Sequence, residues 1–406
     1  MRKRFKQRLA CLSVALMGLG LQGCETTALA PMGAAPGRLS LEPDERRLWL
    51  RAEEEQRRLD RSGLLYDDPR LNEYVNSVAD RLLAPEVRAN GFSLTIRVIK
   101  NPTLNAFALP NGVIYVHTGI LARIENEAQL ATLLGHELTH ATHRHAVKRF
   151  RDLQNKAALA ATFGVLGLPF GLIGALASAL GQLGTIASVY GYSQENEAEA
   201  DKEGLTLMVN AGYDPREAPK LFTHMKEWLE ESKVKEPFFF GTHPRLQERV
   251  ESYQQLLSGP FKDVESRQGR TVRTDEYLSV VQPVILDNAV LDLQAGRFLA
   301  ARKELQKFST LSPTDARPHY YLGESYRREN DSKERDQAVP AYERAIALDQ
   351  SYADPYRGLG TLYYQTGKKR EARVAFERYL ALAPDAADRA YIERYLQELS
   401  EGGGES

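Results

Sequence analysis

The spacing of apolar residues predicts a mainly helical chain with one small β-sheet in its first third. Residues 92–99 alternate in polarity and are rich in β-branched side chains, which is typical of a strand. Two short apolar segments then flank Asn111-Gly112, which predicts a hairpin over 105–117. Helical patterning is found in five further segments, which are 42–60, 71–83, 127–150, 195–213 and 214–231.

The C-terminal third of the chain is repetitive. Gly323 and Gly360 each lie in the pattern Leu-Gly-x-x-Tyr, with small and aromatic residues following at regular spacing. This pattern is typical of tetratricopeptide repeats, which are helix pairs of about 34 residues. An ordinary helical bundle is the alternative, but it does not explain the phased small residues. We predict three repeats and a last helix to Leu399, with the repeats at 282–315, 316–352 and 353–386.

The N-terminal residues have the composition of an export signal. Five basic residues precede an apolar segment at 9–21. Leu21-Gln22-Gly23-Cys24 resembles a bacterial lipobox and predicts cleavage before Cys24, which would then carry the lipid. Ordinary signal cleavage near residues 28–30 is the alternative. In Gram-negative lipoproteins an Asp after the lipidated Cys is typical of inner-membrane retention, so Glu25 favours the outer membrane.

Composition divides the chain into five parts. We expect a signal at 1–23, a flexible tether at 24–41, a helical domain with the small sheet at 42–257, a linker at 258–281 and an α-solenoid of repeats at 282–400. The chain has two cysteines, and Cys11 lies in the predicted signal, so the mature chain has no pair for a disulfide.

One apolar segment permits two interpretations. Residues 157–194 contain no charged side chain, and 163–181 is long enough to cross a bilayer as a helix. Pro169 and six glycines between 164 and 184 favour a broken helical hairpin instead, packed near the site or lying on a membrane surface. The sequence leaves both alternatives open.

The candidate chemistry is centred on His136-Glu137-Leu138-Thr139-His140. On a helix, His136 and His140 project from one face and can both bind one zinc ion. Glu137 can take a proton from a zinc-activated water and pass it to the leaving amine. His145 follows the motif; we interpret it as a residue that positions the helix and not as a ligand.

A catalytic zinc site needs a third protein ligand. The metzincin pattern requires a histidine at position 146, where this chain has Ala146, so that class is excluded. A glutamate from a second helix is the other common solution. Glu197 can supply it, and Asp201, on the same helix face, can hold a ligand histidine by its second nitrogen. Glu195 and Glu199 are expected to be solvated.

Together these features resemble the gluzincin zinc metallopeptidases of the HtpX, BepA and LoiP type, which are related to CAAX prenyl proteases. The resemblance covers about residues 42–255. It rests on the His136–His140 motif, on Glu197-Ala198-Glu199-Ala200-Asp201, and on Thr242-His243-Pro244 followed by Arg249. The C-terminal repeats give a layout like that of BepA-type members, whereas the lipobox is more like LoiP. The resemblance implies one zinc ion per chain.

The resemblance also implies roles for His243 and Arg249. His243 occupies the family's Thr-His-Pro position, where it would stabilise the oxyanion formed during cleavage. Two alternatives remain open: His243 could fill the fourth coordination position and keep the enzyme latent, or it could cap its own loop. Arg249 is expected to pair with a carboxylate, for which Asp201 is a candidate.

The predicted function is a zinc-dependent endopeptidase of the bacterial envelope that degrades misfolded or stalled periplasmic and outer-membrane proteins, with chaperone activity as a further expectation. The alternative is a non-enzymatic or latent chaperone or adaptor that uses the repeats. The expected partners are protein substrates, the outer-membrane assembly machinery or its clients, and a membrane through the lipid anchor. A net charge of -1 gives no sign of a nucleic-acid partner. The edge of the 105–117 hairpin is a hypothetical pairing site for an extended substrate.

Overall fold

The structure, a computed structural model, describes residues 29–34, 37–162, 192–233, 246–265, 270–329 and 332–401. Within these ranges the fold is mainly helical with one small sheet, followed by helical repeats, as the sequence predicted. None of the described helices is both long enough and apolar enough to span a bilayer. Cys24, the apolar segment 163–181 and His243 lie outside the described residues.

The N-terminal part of the chain contains the sheet and ten helices among its described residues. The strands are β1 Thr95–Ile99, β2 Ala106–Ala108 and β3 Val113–His117. The helices are α1 Pro43–Asp60, α2 Pro69–Leu82, α3 Pro85–Ala89, α4 Thr118–Arg123, α5 Glu127–Thr142, α6 His145–Thr162, α7 Gln194–Asn210, α8 Glu217–Ser232, α9 Leu246–Ser258 and α10 Lys262–Glu265.

The sheet has the strand order β1-β3-β2. Strands β2 and β3 form the predicted antiparallel hairpin, and β1 pairs with β3 in parallel. Gly112 in the hairpin turn has φ +84°, and a β-carbon there would lie 2.2 Å from the carbonyl oxygen of Ser93, so the turn requires glycine. Strand β3 lies in the middle of the sheet and is buried along its length. Strand β2 is therefore an edge strand of the sheet and forms the edge of the hairpin.

The prediction of a single long helix over 127–150 is wrong. The chain forms α5 and α6 instead, with a break at His143-Arg144, where Arg144 is left-handed at φ 58°. Arg144 faces Glu45 of α1 at 3.4 Å. Arg151, about two turns further along the chain and within α6, donates its Nε–H to Asp44 Oδ2 at 2.7 Å in a buried pair. Contacts with α1 therefore redirect the chain at a point that has no glycine or proline to signal a break.

The segment expected to be a flexible tether is packed where the structure describes it. Leu29 and Met32 are buried, and the Met32 amide donates to the Thr142 carbonyl at 2.8 Å, at the end of α5. These two side chains are large and apolar in a segment otherwise rich in Ala, Pro and Gly. Their burial holds residues 29–34 against the domain.

The C-terminal part forms helix pairs at the predicted repeats. Its described helices are α11 Thr274–Gln294, α12 Phe298–Leu311, α13 Arg317–Arg327, α14 Ser332–Arg335, α15 Ala338–Leu348, α16 Asp354–Gln365, α17 Lys369–Leu382 and α18 Arg389–Glu401. Gly323 and Gly358 both contact the ring of Tyr342, and a β-carbon on either would lie 2.5 Å from it. The small residues of the repeat pattern thus make room for aromatic rings between helices.

Helix α11 begins inside the span expected to be a linker. Residues 274–281 are helical, and Tyr277 and Val281 are fully buried. The Tyr277 hydroxyl donates to the carbonyl of Leu121 in α4 at 2.7 Å. One hydrophobic core runs from Met32 to Phe308, so the first repeat pair packs directly on the N-terminal domain.

Candidate active site

Two helices carry the candidate site, and each begins at a side-chain cap. Asn126 accepts a hydrogen bond from the Gln129 amide at 2.9 Å and starts α5. Ser193 accepts from the Asn196 amide at 3.3 Å and starts α7. Such caps satisfy amides that have no partner within the helix. The two caps fix where the motif of α5 and the carboxylates of α7 begin.

Three side chains converge where α5 packs on α7. The Nε2 atoms of His136 and His140 are 2.9 Å apart. Glu197 Oε2 lies 3.4 Å from His136 Nε2, and Oε1 lies 3.6 Å from His140 Nε2. All three side chains are buried, and their ligand atoms lie within 4.8 Å of one another. Two imidazole nitrogens and one carboxylate oxygen form the donor set of a catalytic zinc site, which leaves a fourth position for water or substrate.

Glu137 lies beside this cluster and is fully buried. Burial raises the pKa of Tyr192, and the negative charges of Glu137 and Glu197 raise it further. The Tyr192 ring stacks on the His140 imidazole with centroids 3.8 Å apart and an interplanar angle of 11°. We did not predict a role for Tyr192, because this contact joins distant parts of the sequence.

Asp201 and Arg249 both contact His136 at its Nδ1 atom. Asp201 Oδ1 lies 3.1 Å from His136 Nδ1 and 2.6 Å from Arg249 Nη2. Burial alone would raise the pKa of Asp201, but Arg249 and His136 hold it below its ordinary value. Burial and Arg249 act to lower the pKa of His136, but the carboxylates of Asp201 and Glu197 outweigh them and raise it. Arg249 also lies over the ring of Phe222, 4.3 Å from its centroid.

A second set of contacts supports His140. His140 Nδ1 is 2.8 Å from His145 Nδ1, and His145 Nε2 is 2.9 Å from Glu199 Oε2. Burial lowers the pKa of His145 to about 4, although Glu199 opposes the shift. The expectation that Glu199 is merely solvated is therefore wrong. Its side chain is 37% exposed, but one oxygen bonds His145. The break after α5 brings His145 back towards the motif, which helical spacing alone did not indicate.

The structure thus brings together most of the residues that the sequence singled out. His136, Glu137 and His140 lie on α5, Glu197 and Asp201 on α7, and Arg249 on α9. His243 and Cys24 are outside the described ranges.

Comparison with known protein families decides the class of this site. The sequence profile of peptidase family M48 matches residues 67–257, which include all the candidate residues except Cys24. This part of the chain is a peptidase family M48 domain. M48 peptidases are zinc-dependent metallopeptidases, in agreement with the donor set of His136, His140 and Glu197. A TPR repeat profile matches 327–367, within the second and third predicted repeats. The predicted gluzincin-type peptidase domain with C-terminal repeats is confirmed.

Two curated proteases are similar to the chain over part of their length. The chain is 30% identical over 204 residues to the beta-barrel assembly-enhancing protease of Escherichia coli strain K12, covering 48% of this chain and 40% of that protein. It is 32% identical over 184 residues to the mitochondrial metalloendopeptidase OMA1 of Schizosaccharomyces pombe, covering 45% of this chain and 52% of the relative. The chain therefore spans about half the length of these relatives.

Proposed function

We propose that this protein is a zinc-dependent endopeptidase of the Gram-negative envelope that degrades misfolded or stalled periplasmic and outer-membrane proteins. One observation carries the proposal: the buried ligand atoms of His136, His140 and Glu197 converge within 4.8 Å, directly beside Glu137. Glu137 is not needed as a ligand, so its position on the motif is explained by catalysis. The relatives named a protease and a metalloendopeptidase support the class of reaction.

The residues of the site have distinct tasks in this mechanism. His136, His140 and Glu197 would hold the zinc ion, which would supply Lewis-acid chemistry to the attacking water and the scissile carbonyl. Glu137 accepts the proton of the attacking water and delivers it to the leaving amine. Asp201 Oδ1, which lies 3.1 Å from His136 Nδ1, would keep the His136 proton on Nδ1, so that Nε2 would be the ligand atom.

Glu137→Gln tests catalysis without removing a ligand. The variant keeps the size of the side chain but has no basic group, so we expect zinc binding to persist and cleavage of casein to fall by at least ~10²-fold. Glu195→Gln, an exposed residue on α7, is the matched control and should cleave at the parent rate. Full cleavage by Glu137→Gln would contradict the proposal. Full rescue of envelope defects by this variant would favour a chaperone or adaptor role.

His243 is proposed to act in one of two ways: it stabilises the oxyanion formed during cleavage, or it fills the fourth coordination position. If it stabilises the oxyanion, His243→Ala will reduce the turnover rate while zinc content stays at one per chain. If it blocks the metal and keeps the enzyme latent, the same substitution will raise the turnover rate. An unchanged rate would leave His243 with a role in its loop alone.

The edge strand β2 is proposed to pair with an extended substrate. Leu109 donates its amide to Val113 at 2.8 Å, and His117 donates to Asn105 at 3.0 Å. By the alternation of an antiparallel ladder, the amide of Ala108 points away from β3. Because β2 also packs on α5, a strand added there would run past the zinc ligands. Ala108→Pro should raise KM for peptides, whereas Ala108→Ser, which keeps the amide, should not.

The repeats are proposed to recruit protein clients or the outer-membrane assembly machinery. Stacked helix pairs give an extended concave surface that suits a protein partner. One relative is named a beta-barrel assembly-enhancing protease, which is the reason for choosing outer-membrane proteins as clients. Deleting α13 to α18 should preserve casein cleavage and abolish complementation of outer-membrane defects.

Lipidation at Cys24 is proposed to place the enzyme at the outer membrane, facing the periplasm. Cys24→Ser should abolish incorporation of labelled fatty acid and release the protein from the membrane fraction. Glu25→Asp should move the lipidated protein to the inner membrane, which density-gradient fractionation will resolve. Fatty-acid labelling of Cys24→Ser would contradict this assignment.

A further inference from the structure

A hydrogen-bonded chain runs from one candidate zinc ligand towards the protein surface. It begins at His140 Nδ1, passes through His145 by contacts of 2.8 Å and 2.9 Å, and ends on Glu199. His145 is fully buried, whereas the carboxylate of Glu199 is partly exposed. The members come from three helices, since His140 is on α5, His145 on α6 and Glu199 on α7.

Zinc binding would fix which ring nitrogen of His140 and of His145 carries the proton. A histidine that binds zinc through Nε2 is neutral and carries its proton on Nδ1. The Nδ1–H of His140 must then donate to His145 Nδ1, which accepts. The remaining proton of His145 is on Nε2 and is donated to Glu199 Oε2. Each donor meets an acceptor, so the three side chains fit one tautomeric arrangement.

We propose that His145 and Glu199 are positioning residues that hold His140 in the tautomer and orientation required for zinc binding. This inference rests on the proposed function. It gives each candidate ligand histidine its own support, because Asp201 contacts His136 Nδ1 at 3.1 Å and pairs with Arg249. A ligand imidazole whose second nitrogen is held by a hydrogen bond is more basic and less free to rotate.

Glu199 is held in place by further contacts that do not involve His140. Lys148 Nζ lies 3.6 Å from Glu199 Oε2, and His143 Nε2 lies 3.8 Å from Oε1. The side chain of His145 therefore connects the zinc site to a small charged cluster that α6 and α7 share. Lys148 pairs with Glu199 and is not one of the hydrogen-bonded residues between His140 and Glu199, which makes it a suitable control.

The test measures zinc affinity and the thermal stability of the metal-free protein separately. The full chain is stripped of metal and titrated with Zn²⁺ against a competing chromophoric chelator. His145→Leu removes the acceptor for His140 and should weaken zinc binding by ~10–100-fold. Asn at position 145 can place an oxygen where Nδ1 lies, so His145→Asn should recover most of the affinity. Lys148→Met should bind zinc like the parent.

Substitutions of Glu199 test the outer half of the chain. Glu199→Ala should weaken zinc binding several-fold, and Glu199→Gln should stay close to the parent because its amide oxygen still accepts from His145. Recovery by the Asn and Gln variants is expected for hydrogen bonding and not for simple filling of space. The melting temperature of metal-free Glu199→Ala should match that of Lys148→Met.

The outcomes separate this inference from the function on which it rests. If the parent binds zinc and both His145→Leu and Glu199→Ala bind it equally well, the positioning role is overturned while the proposed function stands. If the parent binds no zinc, the proposed function fails, and this inference with it. Should His145→Leu not fold, Glu199→Ala decides: parent-like affinity overturns the role, and weakened affinity recovered by Glu199→Gln supports it.

Discussion

Gly135 and Gly204 face each other where α5 and α7 pack together. A β-carbon on Gly135 would lie 2.8 Å from the carbonyl oxygen of Gly204, and one on Gly204 would lie 2.8 Å from the backbone nitrogen of His136. The two helices therefore approach backbone to backbone directly beside His136. This close approach brings Glu197 of α7 within reach of the two histidines of α5.

Gly204→Ala should separate the helices and damage the metal site. The added methyl group meets backbone and not a flexible side chain, so the cost in stability should be ~1–3 kcal/mol. Glu197 would move away from the histidines, and zinc affinity should fall with stability. Urea denaturation and zinc titration measure the two effects. Lys202→Ala, at an exposed position on the same helix, should change neither; parent-like zinc affinity in Gly204→Ala would refute the argument.

Arg249→Met should destabilise the metal-free protein strongly. Arg249 is buried and pairs with buried Asp201 at 2.6 Å, so its removal leaves a carboxylate without its main counter-charge. Breaking such a pair costs about 3–5 kcal/mol. The double variant Arg249→Met with Asp201→Asn removes both charges and should lose less stability than the sum of the single variants. Additive losses, measured by urea denaturation, would show that the two residues do not depend on each other.

Arg123 joins the M48 domain to the first repeat pair. It lies at the end of α4 and contacts Asp292 of α11 at 2.6 Å and Glu304 of α12 at 2.8 Å, and all three side chains are buried. Its guanidinium carbon lies 3.6 Å from the ring centroid of Trp228. The repeats are therefore fixed to the peptidase domain through charged groups as well as through the shared core.

Arg123→Met should release the first repeat pair from the domain. Two buried carboxylates would lose their shared partner, at a cost of about 3–5 kcal/mol. Hydrogen exchange should rise in α11 and α12 before it rises in α5. The control is Arg297→Met, because Arg297 also pairs with Asp292 but its side chain is 28% exposed, and we expect a loss below ~1 kcal/mol there. Equal exchange rates in the two variants would argue against this role for Arg123.

Glu304 should make the stability of this interface depend on pH. Burial raises the pKa of Glu304 from its ordinary 4.5 to about 7, although Arg123 opposes the shift. Between these values the folded protein retains a proton that the unfolded chain has lost. This contribution to stability is thus fully present below about pH 4.5 and is lost as pH rises through 7.

Glu304→Gln should remove that contribution. The free energy of unfolding, measured with urea at several values from pH 5 to 8, should fall less steeply with rising pH in the variant than in the parent. Glu276→Gln, an exposed substitution on α11, should keep the parent slope. A parent-like slope in Glu304→Gln would place the pH dependence elsewhere, for example on Asp292, whose pKa burial also raises.

The local motifs were predictable because their chemistry depends on neighbouring residues. Four-residue spacing on one helix places His136 and His140 on a common face, and the same spacing relates Glu197 to Asp201. Asn111-Gly112 specified the hairpin turn, and Gly323 and Gly360 marked the repeats. Each of these features lies within a single turn or helix, so it could be predicted without knowing any contact between distant residues.

Other features depended on contacts between distant residues. The break at Arg144 follows from pairing with Glu45, and the role of Glu199 follows from the position of His145 after that break. The stacking of Tyr192 on His140 likewise joins separate segments.

The sequence by itself determined the chemical class of this protein: the candidate ligand types, the candidate catalytic glutamate and the helical repeats are local patterns. The tertiary structure decided how the ligands meet and what supports them. Whether α7 reaches α5 depends on the absence of two β-carbons at Gly135 and Gly204, and whether the repeats stay docked depends on the buried charges around Arg123. Both depend on how closely distant segments approach one another in space, and residue spacing along one segment carries no information about that approach.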